Sequence, residues 1–306
     1  MISAEKYINP FTDFGFKKLF GTEVNKDLLM DFLNELIRGQ GKISEVKYLN
    51  SEQLGRSEDD RRAVFDIYCK TETGETFIVE MQKAKLNFFK DRSVYYASFP
   101  IREQGLRGDW DYRLKAVYTV GILNFVFNEN RDDDDYYHSE VKLMETRKKT
   151  VFYDKLTFIY LEMPKFNKSI EQLETRFEKW MYVLKNLSKL HELPPQLQER
   201  IFEKIFRVAE IAKMNRKEIA EYEDSLKKYR DLYSAIETAK HEGETKGKIE
   251  GKIEGKIEGK IEGKIEGKIE EKIEIALKAI EMGMSIEDIS KLTDLSEEQI
   301  NEIIKK

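Results

Sequence analysis

Two apolar segments separated by a short turn constrain the fold of this chain more than any other feature. Residues 63–70 (AVFDIYCK) and 76–82 (TFIVEMQ) are rich in β-branched and aromatic residues, which favour strands. The turn between them, TETGE, contains Gly74, a residue that tolerates a positive φ. The pattern therefore predicts an antiparallel hairpin of two buried strands.

Each predicted strand carries a single acid among apolar neighbours. Asp66 lies in the first strand, and Glu80 and Gln82 lie in the second. Because residues i and i+2 share a strand face, Glu80 and Gln82 project together while Val79 and Met81 point into the core. Pairing across the turn brings Asp66 beside Glu80. A buried, unpaired carboxylate is costly, so the two acids predict either a cation site or a structural hydrogen-bond network.

Carboxylate oxygens are suited to the hard cations Mg²⁺ and Mn²⁺. Such a cation can activate a water molecule and stabilise the alkoxide that leaves a phosphodiester. We predict that Asp66 and Glu80 bind the metal and that the main-chain carbonyl of Met81 is a third ligand. In this interpretation, Gln82 orients the attacking water by hydrogen bonding.

The remaining pattern changes from mixed α/β to helical along the chain. Strands are predicted at residues 43–49, 114–127 and 152–163, and helices at 12–20, 24–37 and 88–104. The pattern is helical from residue 170 onward, and strand signals do not return. We therefore predict an α/β domain over residues 1–165 and an all-helical extension over residues 166–241. The strand at 114–127 is expected in the middle of the sheet.

A GKIE tetrapeptide repeats from residue 247 to residue 270. Each glycine costs a helix about 0.8–1 kcal/mol relative to alanine, and at i,i+4 every Lys faces Lys and every Glu faces Glu. A lone helix is therefore poorly stabilised. Residues 242–274 are predicted to be either a solvated spacer or a stalk through which copies of the chain form a homo-oligomer.

The last segment, residues 275–306, contains three short helical patterns that resemble a helix-turn-helix. Gly283 is placed to end the first helix and Ser285 to cap the second. Seven acidic and four basic residues leave the segment with a net charge of 4 − 7 = −3, which does not suit phosphate binding. A packing or oligomerisation cap is the preferred interpretation.

Composition excludes several other classes of function. The 306 residues carry a formal net charge of −5, so nucleic-acid binding would require a local basic patch. There is one cysteine, Cys69, and no intrachain disulfide can form. The sequence lacks a long apolar stretch or a signal-peptide pattern, which predicts a cytoplasmic protein without a membrane span. The three histidines lack zinc-ligand spacing.

The chain resembles a known nuclease family at several motifs. The hairpin is similar to the core of the PD-(D/E)xK nuclease superfamily, with Gln82 at the place where lysine is commonest. Wider features resemble the recombination-promoting nuclease (Rpn) family, which is also described as transposase-like. They are DFGFKKLFG at residues 13–21, RSVYY at 92–96, YLEMPKF at 160–166 and EYEDSLKKYRD at 221–231, followed by the charged glycine repeats.

This resemblance implies a restriction-endonuclease-like fold and a Mg²⁺-dependent (or Mn²⁺-dependent) DNA endonuclease linked to recombination. It does not imply the three-carboxylate chemistry of other recombinases. In the superfamily, an acid on the first helix can complete the metal shell, which makes Asp13 a candidate ligand. The alternative is that Asp13 only caps this helix.

Three lysines are candidate phosphate contacts. Lys83 and Lys85 directly follow Gln82, and Lys17 lies one helical turn after Asp13; a purely solvated role is the alternative for each. A second hypothesis follows from Gln82 in place of lysine, namely a catalytically degenerate nuclease fold that acts as a nucleic-acid-binding or regulatory module. The acidic run at residues 132–135 is predicted to be either a cation site or a solvated loop.

Overall fold

A computed structural model describes residues 5–37, 41–53, 63–105, 111–130 and 136–304. The acidic run at residues 132–135 lies outside these ranges. The chain forms two compact units, Met1–Tyr233 and Ser234–Lys306. Among the described residues, the helices are all too short or too polar to cross a lipid bilayer.

The first unit is built on a six-stranded mixed sheet. Its strands are β1 (Val46–Tyr48), β4 (Ile67–Thr71), β5 (Thr76–Gln82), β6 (Val117–Leu123), β7 (His138–Glu145) and β8 (Thr150–Glu162). They lie in the order β1-β4-β5-β6-β8-β7. Strands β5, β6 and β8 run parallel to one another, and the other neighbours pair antiparallel. As predicted, β6 lies in the middle of the sheet, where all its residues are buried.

The predicted hairpin is present, but its first strand is shorter than expected. The prediction of one continuous strand over residues 63–70 is wrong. Two residues form β3 (Ala63–Val64), which pairs with β2 (Glu52–Gln53), and β4 starts at Ile67. Phe65 and Tyr68 pack in the same apolar cluster, and this spacing of three breaks the alternation of a regular strand. Asp66 therefore lies immediately before β4 and not within it.

Strand β7 was not predicted from the sequence. It is an edge strand whose residues are all exposed or half-buried, so it lacks the apolar alternation that marks a strand with one buried face. Its pairing with β8 is irregular at Lys142, Leu143 and Met144. Such irregularities are common at sheet edges.

Helices cover both faces of the sheet. On one face lie α1 (Asp13–Phe20), α2 (Lys26–Leu36), α4 (Arg176–Asn186) and α5 (Arg200–Ala209). Trp180 is fully buried there between the rings of Phe20, Phe32 and Phe202. The opposite face packs against α3 (Phe89–Glu103). The expected boundary near residue 165 falls inside this unit, because α4 and α5 share its core.

The second unit is helical. It contains the C-terminal part of α6 (Arg216–Glu281), together with α7 (Ile286–Thr293) and α8 (Glu297–Ile304). Gly283, with a φ of +73°, follows α6, and the Ser285 side chain caps α7 by accepting from the backbone N–H of Asp288. Both of these predictions are confirmed. The α/β fold class with an all-helical C-terminal extension is confirmed as well.

Candidate active site

Two hydrogen bonds from backbone N–H groups hold the carboxylates of Asp66 and Glu80 at the open end of the hairpin. The last backbone pair of the β4–β5 ladder is Ile67 with Val79. Beyond it, the backbone N–H of Asp66 donates to Oε1 of Glu80 at 3.2 Å, and the N–H of Met81 donates to Oδ2 of Asp66 at 2.8 Å. Each carboxylate therefore satisfies a backbone donor of the facing segment. The two residues are therefore neighbours across the end of the hairpin.

Glu80 is the more deeply buried of the two acids, with an exposed fraction of 5 %. Its Oε2 lies 3.2 Å from Nη2 of Arg92 on α3. Burial raises the pKa of Glu80 to about 8, and the negative charge of Asp66 also raises it, while Arg92 and the Asp66 N–H lower it. Arg92 therefore offsets only part of the effect that burial and Asp66 have on this pKa.

Asp66 is half-buried and lines a cleft of about 710 Å³ on the α1 side of the sheet, together with Lys17 and Lys18. Burial raises the pKa of Asp66 above its ordinary value. The hydrogen bond from Met81 and the charge of Lys17 lower this pKa, whereas Asp13 raises it. The carboxylate is therefore accessible from the cleft and influenced by residues of α1.

The first helix places Asp13 near this pair, although not as the helix cap. Thr12 is the N-cap, and its hydroxyl accepts from the N–H of Gly15 at 3.0 Å. The alternative that Asp13 caps α1 is therefore wrong. Oδ1 of Asp13 lies 2.7 Å from Nζ of Lys83, so an ion pair connects the first helix with the end of β5.

The structure places the other predicted residues around the same end of β5. The Gln82 side chain is half-buried, and its Nε2 donates to the carbonyl of Ala84 at 3.1 Å. Lys85 is exposed and donates through Nζ to Oδ1 of Asn128. Lys17 is exposed on α1. Lys83 and Lys85 thus already have partners, whereas the Lys17 side chain faces solvent near Asp66.

Sequence reasoning gave no role to two residues of this region, Arg92 and Phe88. Arg92 was part of the RSVYY motif, but only the packing of α3 on the sheet brings it to Glu80. Phe88 lies one helical turn earlier, and its carbonyl accepts from the N–H of Arg92 at 3.0 Å. It is 79 % exposed and has a φ of +63°, which is unusual for a bulky residue. The sequence pattern that could have indicated a role for Phe88 and Arg92 is the run of aromatic and basic residues at 83–92.

The donor set of the pair is compatible with a hard divalent cation. The described residues contain no group of three or more His, Cys, Asp or Glu side chains that could hold a metal ion. Mg²⁺, however, is commonly bound by one or two carboxylates, with waters and substrate phosphates completing its shell. Asp66 and Glu80 can supply those two carboxylates. A cation would also favour the ionised form of the buried Glu80, whose pKa burial and the charge of Asp66 raise.

Comparison with known proteins agrees with this description. The model of a family described as "PD-(D/E)XK nuclease family transposase" matches residues 10–239, about three quarters of the 306 residues. The match includes α1, the complete sheet, α3 and the two acids. No curated protein and no solved structure matches the chain.

Proposed function

The chain belongs to the PD-(D/E)XK nuclease family transposases, and from this premise we propose that it is a Mg²⁺- or Mn²⁺-dependent DNA endonuclease linked to recombination. The observation that supports the proposal is that Asp66 and Glu80 are neighbours at the end of the hairpin, where each carboxylate accepts from a backbone N–H of the facing segment. Such a pair is costly to ionise in a protein interior unless a cation neutralises it. In a nuclease with a restriction-endonuclease-like fold, a cation held by these two acids would act in catalysis.

Asp66 and Glu80 hold the cation in this proposal, and the main-chain carbonyl of Met81 is a further ligand. When bound, Mg²⁺ or Mn²⁺ supplies positive charge that stabilises the charge developing on the phosphate oxygens. Gln82 orients the attacking water through its side-chain amide. Asp13 holds Lys83 in place from α1, and its charge acts on Asp66, but the described residues do not group it with Asp66 and Glu80 as a set of three metal ligands.

Substrate contacts are proposed for the surface that surrounds the pair. Lys17 on one side, and Lys83 and Lys85 on the other, can contact backbone phosphates, which position DNA without reading its sequence. Phe88 offers an exposed ring beside these lysines, and an aromatic ring next to basic residues suits contact with an unstacked base. The net charge of −5 means that this local patch, and not the whole molecule, attracts DNA.

Cleavage of plasmid DNA tests the proposal. With Mg²⁺ present, the purified full-length chain should nick or linearise supercoiled DNA, and Asp66→Ala should abolish this activity while circular dichroism remains unchanged. Glu75→Gln is a matched control, because Glu75 lies in the turn of the same hairpin and accepts hydrogen bonds from Thr71 and Thr73. Activity in the Asp66→Ala variant equal to that of the parent would refute the proposal.

A second candidate is a nuclease-fold protein that binds nucleic acid without cutting it. Two observations favour it: the amide of Gln82 bonds to the carbonyl of Ala84, and the described residues lack a cluster of three metal-binding side chains. DNA binding that is unaffected by Mg²⁺, together with absent cleavage over a titration of Mg²⁺ and Mn²⁺, would support this alternative over the nuclease.

A further inference from the structure

A stripe of exposed isoleucines runs along the repeat segment of α6. Six isoleucines, one in each GKIE unit, are 48–56 % exposed, although isoleucine is among the residues most often buried in proteins. They occur at every fourth residue, Ile249, Ile253, Ile257, Ile261, Ile265 and Ile269. Within the second unit, this helix face has no apolar partner, because the apolar cluster of that unit starts only at Ala276.

Charged residues flank the stripe in a fixed order. With about 100° per residue, the lysines nearest to Ile257 are Lys256 and Lys260, which lie about 100° and 60° to one side. The glutamates Glu258 and Glu254 lie at the same angles on the other side. The isoleucine stripe therefore has one basic flank and one acidic flank throughout the repeats.

The charges between residues 252 and 268 form no ion pair with another described residue of the chain. Residues 247–270 are all described, and between Lys252 and Lys268 no lysine forms an ion pair with a glutamate of its own helix, since at i,i+4 the neighbours carry like charges. The first ion pairs appear at the ends of the segment, between Lys246 and Glu250 and between Lys272 and Asp294. A partner helix could supply the opposite charges that these lysines and glutamates lack within their own helix.

We propose that the repeat segment binds the same segment of a second copy of this chain, in parallel orientation, with the isoleucine stripes in contact. In a parallel pair related by a twofold axis, the acidic flank of each helix faces the basic flank of the other along both edges of the interface. In an antiparallel pair, Lys would face Lys on one edge and Glu would face Glu on the other. Charge complementarity thus selects the parallel pair.

The strict period of four also determines how the two helices wind. On a straight helix, the stripe moves about 40° around the axis per repeat, so a continuous contact requires a right-handed supercoil. The glycines lie on the face opposite the isoleucines. A Cβ added at Gly251, Gly255 or Gly259 would meet no atom within 4 Å, so alanine fits at these positions without disturbing the interface.

The mass of the full-length chain in solution tests the pairing. Light scattering over a range of protein concentrations should give twice the chain mass of 36.2 kDa. The triple variant Ile253→Asn, Ile257→Asn, Ile261→Asn should raise the dimer Kd by at least about a hundredfold. The matched triple variant Gly251→Ala, Gly255→Ala, Gly259→Ala should remain dimeric. A monomeric parent, or a dimer that persists in the Ile→Asn variant, would overturn the proposal.

Disulfide cross-linking tests the orientation. Ile249→Cys and Ile269→Cys are made as two separate variants and oxidised. The parent is the control, because its Cys69 is fully buried. Parallel pairing predicts that each variant cross-links to itself. Cross-links that form only when the two variants are mixed would show an antiparallel pair and contradict the proposal.

Discussion

Nη2 of Arg92 on α3 lies 3.2 Å from Oε2 of Glu80 on β5. A helix on one face of the sheet therefore neutralises part of the charge of a buried strand acid, and the other oxygen of that acid accepts from the backbone of Asp66. The guanidinium group also lies over the ring of Tyr96, 4.8 Å from its centroid. Arg92 is thus held in place from two directions.

We expect Arg92→Ala to lower the free energy of unfolding of the metal-free chain by about 1–3 kcal/mol, because it removes a charged hydrogen bond from a buried acid. Mg²⁺ should stabilise this variant more than it stabilises the parent, since a bound cation replaces the lost positive charge. Chemical denaturation with and without Mg²⁺ measures both effects. Arg102→Ala, on the same helix and stacked on Phe99, should cost less than about 1 kcal/mol. Equal losses in the two variants would contradict this role for Arg92.

The stability of the metal-free chain should fall as pH rises from about 5 to 8. Burial and the charge of Asp66 raise the pKa of Glu80 to about 8 in the folded state, above the ordinary value for glutamate. Below the unfolded pKa, Glu80 is protonated in both states, and its stabilising contribution is lost as pH rises through the folded pKa. The expected loss is on the order of 4 kcal/mol, and the raised pKa of Asp66 acts in the same direction.

Glu80→Gln should remove most of this pH dependence in urea denaturation experiments. Glu75→Gln should leave it intact. Although burial raises the pKa of Glu75, hydrogen bonds from Thr71 and Thr73 bring it below its ordinary value, so its stabilising contribution is lost only at acid pH. A Glu80→Gln variant with the same slope as the parent between pH 5 and 8 would argue against an unusual pKa at this position.

Gly121 on β6 is the register partner of Glu80, and we expect Gly121→Ala to destabilise the first unit by about 1–3 kcal/mol. A Cβ at this position would lie 3.1 Å from Cδ1 of Tyr160 and 3.2 Å from Cδ2 of Leu123, in a packed layer that cannot easily move. Chemical denaturation, monitored by tryptophan fluorescence, measures this loss of stability. Gly251→Ala, where the added Cβ meets nothing within 4 Å, should leave this transition unchanged. An unchanged transition for both variants would show that the layer around Gly121 can adapt.

Local patterns were sufficient to predict the turn and the second strand of the hairpin. The turn contains Gly74 with a φ of +100°, and the alternation of apolar residues in β5 places Val79 and Met81 in the main core. The helix signals at Gly283 and Ser285 were equally local. In each case a single residue type satisfies a backbone requirement that is visible within a few neighbouring positions.

Other features depend on contacts between distant parts of the chain and have no local signal. Strand β7 exists because β8 extends the sheet and offers an edge, although its own residues are polar or exposed. Asp66 lies outside β4 because Phe65, the residue before it, packs with Phe99 of α3. Arg92 reaches Glu80 only after α3 has packed on the sheet. Sequence patterns can indicate the type of each element, but not which side chains the final packing brings together.

We propose that Asp66 and Glu80 together bind a divalent cation. The full-length chain is titrated with Mn²⁺ while electron paramagnetic resonance monitors the free ion. This experiment measures binding independently of any cleavage activity. We predict that Asp66→Asn and Glu80→Gln each weaken Mn²⁺ binding by at least about tenfold, whereas Glu75→Gln binds like the parent. Mn²⁺ affinities of both site variants equal to that of the parent would contradict the claim.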